Sequence, residues 1–397
     1  MDPLPPRTRA GRRVAALLAL GLAAVALRPQ LTGIGPLLPA IQDDLHVSHL
    51  VAGLLPAIPI VCMGIFAPPA AYLSGWLGAR AAVAACLAGI ALFGFARAFA
   101  PPAVAVVALT VPIGIGMGFA GALLPVAVKE RFADRPAFAT GVYSTGINVG
   151  SALSAGLAVP VAHAAGGWRT SLAAFSGLAA VLLASWLALT PRAAARVPFR
   201  RPPRVPWRSG TGWLLVLLFG LDSMIFYGIN SWLPDAYVER GWSDARAGTL
   251  LAVVQFTTIP FSFGVPWLAD RIGSRRLYLT FAAGMFVVGT LGFVVVPGGA
   301  WAWAICTGIA VGAMFPIILT LPLDLAHRPA DVGAFAALML GGGYVLAAIA
   351  PLALGAVRDA SGSFAVSLWL LVGLSVALVA VALAFSRERL AAATLDS

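Results

Sequence analysis

Twelve apolar stretches, separated by short polar breaks, run through almost the whole sequence. A helix needs about 20 residues to cross the hydrocarbon core of a bilayer, and most of the stretches reach this length. Charged residues make up only 10% of the chain, whereas a soluble domain has about 25%. The first stretch has no clear small-residue cleavage site, so we interpret it as a retained span and not as a signal peptide. We predict an all-α integral membrane protein whose spans cover roughly residues 14–40, 48–72, 80–98, 103–127, 137–162, 170–189, 212–236, 247–268, 277–297, 300–322, 333–357 and 364–385.

The distribution of Lys and Arg predicts the orientation of the chain in the membrane. The 26 Lys and Arg residues give a formal net charge of +11, and most of them fall on the side that holds both termini. The other side receives only Arg97, Arg169, Arg240, Arg246 and Arg358. Because cytoplasmic loops of membrane proteins are enriched in Lys and Arg, we expect both termini in the cytoplasm and the protein in the inner (plasma) membrane. This bias accounts for the net charge without a nucleic-acid partner.

The sequence repeats itself once. Leu38-Pro39, at the end of the first stretch, matches Leu233-Pro234 at the end of the seventh. Six spans return the chain to the side on which it began, so the two repeats have the same orientation. We predict two six-helix halves, residues 1–190 and 212–397, joined by a cytoplasmic linker at residues 191–211. The same offset aligns Ser48 with Ser243, Ala52-Gly53 with Ala247-Gly248, Leu73 with Leu268, Gly78 with Gly273 and Arg80 with Arg275.

A short segment in the second half carries a family resemblance. WLADRIGSRR, residues 267–276, resembles the cytoplasmic loop signature of the major facilitator superfamily. Pro266 stands where the signature begins with Gly, and the first half, with LSGWLGAR, has Gly75 in place of the Asp. The resemblance implies two pseudo-symmetric six-helix bundles that carry out secondary transport. It also implies a gating loop formed by Asp270, Arg271, Gly273 and Arg275.

Three further stretches are similar to the cyanate and 2-nitroimidazole transporter branch of this superfamily. They are LRPQLTGIGPLLPAIQDDL, LLPVAVKERFADRPAFATGVYSTG and IAPLALGAVRDASGSF, and the resemblance covers essentially the whole chain. It implies a monomer that works in the lipid bilayer on a small-molecule substrate, without a cofactor.

Two charged residues lie within apolar stretches, far from any loop. A charge at that depth costs a few kcal/mol and marks a transport path or a buried ion pair. Arg28 interrupts the first stretch, and at the repeat offset it corresponds to Ser223, which is next to Asp222. We therefore expect Arg28 and Asp222 at matching depth, as a charge pair that a substrate anion or a proton can break. The alternative is a purely structural pair.

Polar side chains around these charges recur at helical spacing. Residues three or four positions apart share one face of a helix, so such a stripe can line a substrate path. For Ser and Thr the alternative is packing and hydrogen bonding between helices. The candidate substrate-binding residues are Arg28, Thr32, Asn148, Tyr227, Asn230 and Gln255.

Several classes of function are excluded by what the sequence lacks. It has no GxxxxGK[ST] phosphate loop, so ATP-driven transport is not expected. Cys62, Cys86 and Cys306 form no CxxC pair, and no metal site is predicted. No nucleophile–base constellation is visible, so we do not expect an enzyme. We predict an alternating-access secondary transporter of a small anionic or polar molecule such as cyanate, with protons as the candidate coupling ion. An efflux permease for a neutral or lipophilic compound is the alternative.

Overall fold

The computed structural model describes residues 9–132, 136–190, 206–272, 275–325 and 329–385. These residues form helices joined by short turns. Eleven of the helices are long and apolar enough to cross a membrane. The 29-residue helix Asp244–Ile272 completes the set of twelve, which confirms the predicted number.

We number the spans in chain order. Three of them consist of consecutive helical segments: span 1 of Arg9–Val25, Pro29–Thr32 and Leu38–Leu45; span 2 of His49–Ala52, Leu54–Phe66 and Ala70–Leu77; and span 11 of Pro329–Ala347 and Ile349–Ser361. The others are spans 3 (Ala79–Phe99), 4 (Ala103–Arg131), 5 (Pro136–Ala165), 6 (Trp168–Leu189), 7 (Gly210–Glu239), 8 (Asp244–Ile272), 9 (Arg275–Val295), 10 (Ala300–Leu325) and 12 (Phe364–Ala384).

Contacts between the spans follow a twofold pattern. In the first half span 4 packs on spans 2 and 3, span 3 on span 6, and span 1 on span 5. Six spans later the same contacts recur: span 10 packs on spans 8 and 9, span 9 on span 12, and span 7 on span 11. The halves meet where span 2 packs on span 11 and span 5 on span 8. The internal repeat therefore produces two pseudo-symmetric bundles.

Span 1 is broken in the middle because of its proline and glycine residues. Proline has no N–H with which to continue the hydrogen bonds of a helix, so Pro29 cannot donate to the backbone oxygen of Val25. The first helix accordingly ends at Val25, and a new one begins at Pro29 with Arg28 as its N-cap. A 3-10 turn at Gly35–Leu37 follows, before the last segment of the span. The break places Arg28 where the helix axis is interrupted.

Glycines allow the closest helix contacts. A Cβ added to Gly118 of span 4 would lie 2.6 Å from the backbone oxygen of Cys62 in span 2. One added to Gly312 of span 10 would lie 2.5 Å from the backbone oxygen of Thr258 in span 8. The same close approach therefore recurs in both halves, as is common where membrane helices pack through small residues.

We expect Gly118→Val to lower the melting temperature of the purified protein by about 2 °C or more, because inserted atoms in a packed interior cost about 1–3 kcal/mol. Gly121→Val is the matched control in the same helix, since a Cβ at Gly121 meets nothing within 4 Å. Thermal unfolding in detergent provides the measurement. Equal melting temperatures for the two variants would contradict the packing assigned to Gly118.

Arg97 corrects one of the sequence predictions. We assigned it to a loop on the side away from the termini, but it lies in the last turn of span 3 and is 0% exposed. Its guanidinium donates to the side-chain oxygen of Gln30 at 2.5 Å, and to the hydroxyl of Thr110 at 3.3 Å. These acceptors satisfy most of the donors of the buried guanidinium, although Nε has no partner among the described residues.

Candidate functional site

Arg28 joins the two halves of the molecule. Its Nη1 donates a hydrogen bond of 2.9 Å to the hydroxyl of Tyr227 in span 7. The hydroxyl of Tyr344 in span 11 lies beside the same guanidinium. Each phenol ring packs edge-on against a phenylalanine of span 7, Tyr227 on Phe226 and Tyr344 on Phe219. A cation of the first half is therefore held by two neutral phenols of the second.

Arg28 is partly exposed and, among the described residues, forms no ion pair. A phenol oxygen satisfies one donor of the guanidinium but leaves its positive charge uncompensated. Because an uncompensated charge at this depth is costly, the site favours an anion that can approach the remaining donors. The planar guanidinium suits a small anion that accepts two parallel hydrogen bonds.

Asp222 lies close to this site but is not joined to Arg28. The carboxyl group is 3% exposed, and within the part of the chain that the structure describes it forms no hydrogen bond or ion pair. Tyr344 is within electrostatic reach of both Arg28 and Asp222. The ion pair expected from the sequence is not formed in this structure. A buried carboxyl group without a partner is costly as an anion and far less so when protonated.

Two predicted amides bind each other, and one of them, Asn230, lies three residues after Tyr227 in span 7. Nε2 of Gln255 in span 8 donates to Oδ1 of Asn230 in span 7 at 3.0 Å, and both residues are buried. Nδ2 of Asn230 has no partner within the described residues. The backbone oxygen of Asn230 lies directly against Gly35, where an added Cβ would clash with it. This pair therefore lies where span 1 meets the second half.

Of the other two predicted polar residues, Asn148 contacts the second half and Thr32 is bonded within the first half. Asn148 in span 5 reaches Ser262 in span 8 at 3.5 Å, across the interface between the halves. Thr32 is fully buried and bonds to Ser154 in span 5 at 2.7 Å and to the backbone oxygen of Arg28 at 3.1 Å. Its hydroxyl is thus used for packing within the first half, the alternative that we considered for Ser and Thr.

The predicted gating loop is only partly described. Gly273 and the side chain of Asp270 lie outside the described residues. Arg271 lies in the last turn of span 8, and Arg275 begins span 9. The gating role of these four residues stays a prediction.

Sequence reasoning missed Gln30 and Tyr344. Nε2 of Gln30 donates to Ser176 at 2.8 Å and to the backbone oxygen of Leu172 at 3.3 Å, while its oxygen accepts from Arg97. Gln30 thus anchors the broken part of span 1 to spans 3 and 6, two residues after Arg28. A polar residue beside an intramembrane arginine was the available signal. Tyr344 follows the GGG of span 11, and nothing in its spacing connected it to Arg28.

Comparison with known proteins agrees with this architecture. The model of the major facilitator superfamily matches residues 18–351. The chain belongs to the major facilitator superfamily. It is a membrane transporter and not an enzyme, which confirms both the predicted fold and the predicted class of function.

Two curated relatives and one solved structure illustrate the range of the family. The chain is 32% identical to the cyanate transport protein CynX of Escherichia coli over 351 residues, which cover 88% of this chain and 91% of that protein. It is 28% identical to the 2-nitroimidazole transporter of Escherichia coli over 383 residues, 95% and 96% of the two chains. The crystal structure of the nucleoside transporter NupG has a TM-score of 0.75 at 14% identity, and the match covers 94% of this chain and 100% of that one. This likeness shows the shared fold.

Proposed function

We propose that the protein is an alternating-access secondary transporter of a small monovalent anion, with Arg28 as the residue that binds the anion. The observation that carries the proposal is the guanidinium of Arg28, which bonds a neutral phenol and, among the described residues, has no acidic partner. The relation to a cyanate transport protein supports the same class of substrate. Cyanate is small, monovalent and able to accept hydrogen bonds at both ends.

The position of Arg28 between the halves supports the mechanism. Arg28 belongs to the first half, whereas Tyr227 and Tyr344 belong to the second, so an anion bound here would contact both. Transporters built from parallel repeats bind substrate at the repeat interface and move one bundle against the other. An anion that replaces the phenols as the partner of Arg28 would change the free-energy difference between the two arrangements. Asn148, Asn230 and Gln255 are proposed to contribute to the same interface.

We also propose the orientation and the coupling ion. The bias in Lys and Arg supports a cytoplasmic location of both termini, and the loops at the opposite end would then face outward. Asp222 is the proposed proton acceptor, because its buried carboxyl group has no polar partner among the described residues. Protons would then cross the membrane in the same direction as the anion or in the opposite direction.

Thermal stabilisation of the purified protein by a panel of compounds tests the proposed substrate class. A ligand that binds only the folded state at about 100 times its Kd stabilises by about 2.7 kcal/mol. We expect cyanate, nitrite, nitrate or formate to raise the melting temperature, and sodium gluconate at equal ionic strength serves as the control. Uptake of the same anions into proteoliposomes, with and without a proton gradient, then measures transport. A panel in which no small anion stabilises or is taken up would overturn the proposal.

An exporter of a neutral nitroimidazole-like compound is the second candidate. The similarity to the 2-nitroimidazole transporter over 95% of the chain favours it, as does the aromatic surrounding of Arg28. In the same panel 2-nitroimidazole would then stabilise the protein, whereas the anions would not.

A further inference from the structure

We infer that His49, Gln42, Asp235 and Asp359 form a latch that closes the transport path at the end of the bundles opposite the two termini. We call this end the distal end. The inference rests on the proposed alternating access, since only a protein that opens and closes has a use for a releasable contact there. His49 and Gln42 belong to the first half, and Asp235 and Asp359 to the second.

The contacts of Asp359 are the core of the latch. One carboxylate oxygen accepts from the backbone N–H of His49 at 3.0 Å and contacts Nδ1 of its imidazole at 2.7 Å. The other oxygen accepts from the backbone N–H of Leu50 at 2.8 Å. Asp359 lies at the end of span 11 and these groups at the start of span 2, so every one of the bonds crosses between the halves.

A second carboxylate extends the latch toward span 1. Oδ2 of Asp235 in span 7 accepts from Nε2 of Gln42 at 3.2 Å and lies 3.6 Å from Nε2 of His49. The imidazole of His49 therefore lies between two carboxylates. It also packs on the rings of Trp232 and Phe364, with centroid distances of 5.6 and 5.5 Å. Both rings belong to the second half, so polar and apolar contacts of His49 cross the same boundary.

Backbone packing at this level requires glycine. A Cβ added to Gly355 in span 11 would lie 2.6 Å from the backbone oxygen of His49. One added to Gly53 in span 2 would lie 2.6 Å from the backbone oxygen of Pro351. The two spans therefore approach closely enough for Asp359 to reach the first turn of span 2. In the structure described here these contacts join the two halves at the distal end.

Two other charged pairs at the distal end stay within one half. Arg169 bonds Asp44 at 3.0 Å inside the first half, and Arg358 bonds Glu239 at 2.8 Å inside the second. These pairs can persist while the halves move. The latch instead uses a histidine, and the side chains of His49, Asp235 and Asp359 are 20%, 11% and 29% exposed. Partly exposed contacts can be replaced by water at modest cost, as a reversible closure requires.

Distance measurements without substrate test the latch. Spin labels at Ala164→Cys in span 5 and Ser361→Cys in span 11, in a background with the native cysteines replaced by alanine, report the separation of the halves by double electron–electron resonance. We expect one short distance to predominate in the protein with an intact latch. Asp359→Ala removes all three bonds of that carboxylate and should raise the ratio of long to short distances by about tenfold or more.

Two further variants make the test specific. His49→Ala removes the imidazole but leaves the backbone N–H groups that bind Asp359, so we expect a smaller rise of about threefold. Asp43→Asn is the control, because Asp43 is an exposed carboxylate at the same end and forms no bond to the second half among the described residues. A ratio of long to short distances that rises from Asp43→Asn through His49→Ala to Asp359→Ala supports the latch. Unchanged distances in folded Asp359→Ala and His49→Ala would overturn it, and, since no substrate is present, they would leave the proposed anion site untouched.

Discussion

Replacing Arg28 by alanine is expected to abolish measurable binding and transport of small anions. Truncating one partner of a buried, hydrogen-bonded charge pair costs about 2–5 kcal/mol, so the affinity should fall at least about thirtyfold. Tyr227 and Tyr344 are neutral and lose only one hydrogen-bond donor, so neither is left as an unpaired charge and we expect the protein to remain folded. Isothermal titration calorimetry with the anion found in the stabilisation panel measures the loss.

Lysine at the same position separates the contribution of the positive charge to anion affinity from that of the planar guanidinium. Arg28→Lys restores the positive charge but not the planar pair of donors, so we expect an affinity between those of the alanine variant and the unmodified protein. Arg246→Ala controls for the loss of one positive charge, because Arg246 lies at the start of span 8 and packs over the ring of Trp242 at 3.8 Å. Unchanged anion affinity in Arg28→Ala would show that the anion binds elsewhere.

Asp222→Asn is expected to leave exchange of the substrate intact while abolishing its accumulation against a gradient. Asparagine has nearly the same shape but takes up and releases no proton. Because Asp222 has no ion pair among the described residues, the substitution should not lower the melting temperature. Counterflow and proton-driven accumulation, measured on one proteoliposome preparation, give the two readouts.

Each contrary result for Asp222→Asn has its own interpretation. Full proton-driven accumulation would remove Asp222 from the coupling mechanism. A lower melting temperature with normal accumulation would instead indicate a structural role, as a partner that Arg28 gains in another conformation. Asp244→Asn, in the first turn of span 8, serves as the control and should resemble the unmodified protein in every measurement.

The sequence predicts the number of spans better than it predicts which residues of different spans lie at the same level. Length, hydropathy and the repeat located twelve spans and placed Arg28 at the depth of Asp222, and both charges do lie near one site. The partner of Arg28 is nevertheless Tyr227, five residues or about 7.5 Å further along span 7. The break before Pro29 ends the regular rise of span 1, so depths counted from a straight helix no longer apply.

Contacts between side chains of different spans were the hardest feature to predict. Arg97 lies two residues before the end of its helix, where hydropathy does not distinguish a loop cation from a buried one. Its burial depends on Gln30 and Thr110, which belong to other spans. Tyr344 was missed for the same reason, because its role arises from the approach of span 11 to span 1. Contacts between distant spans leave no periodic trace in a single sequence.

The buried arginine of span 3 also bears on how the protein is made. A ribosome completes span 6 before it begins span 7, and every group that binds Arg97 and Gln30 lies between residues 30 and 176. The polar interior of the first half can therefore form while the second half is still unmade. An arginine that would be costly in lipid alone thus finds its acceptors early in synthesis. We expect the first six spans to insert and pack together before the other six are synthesised.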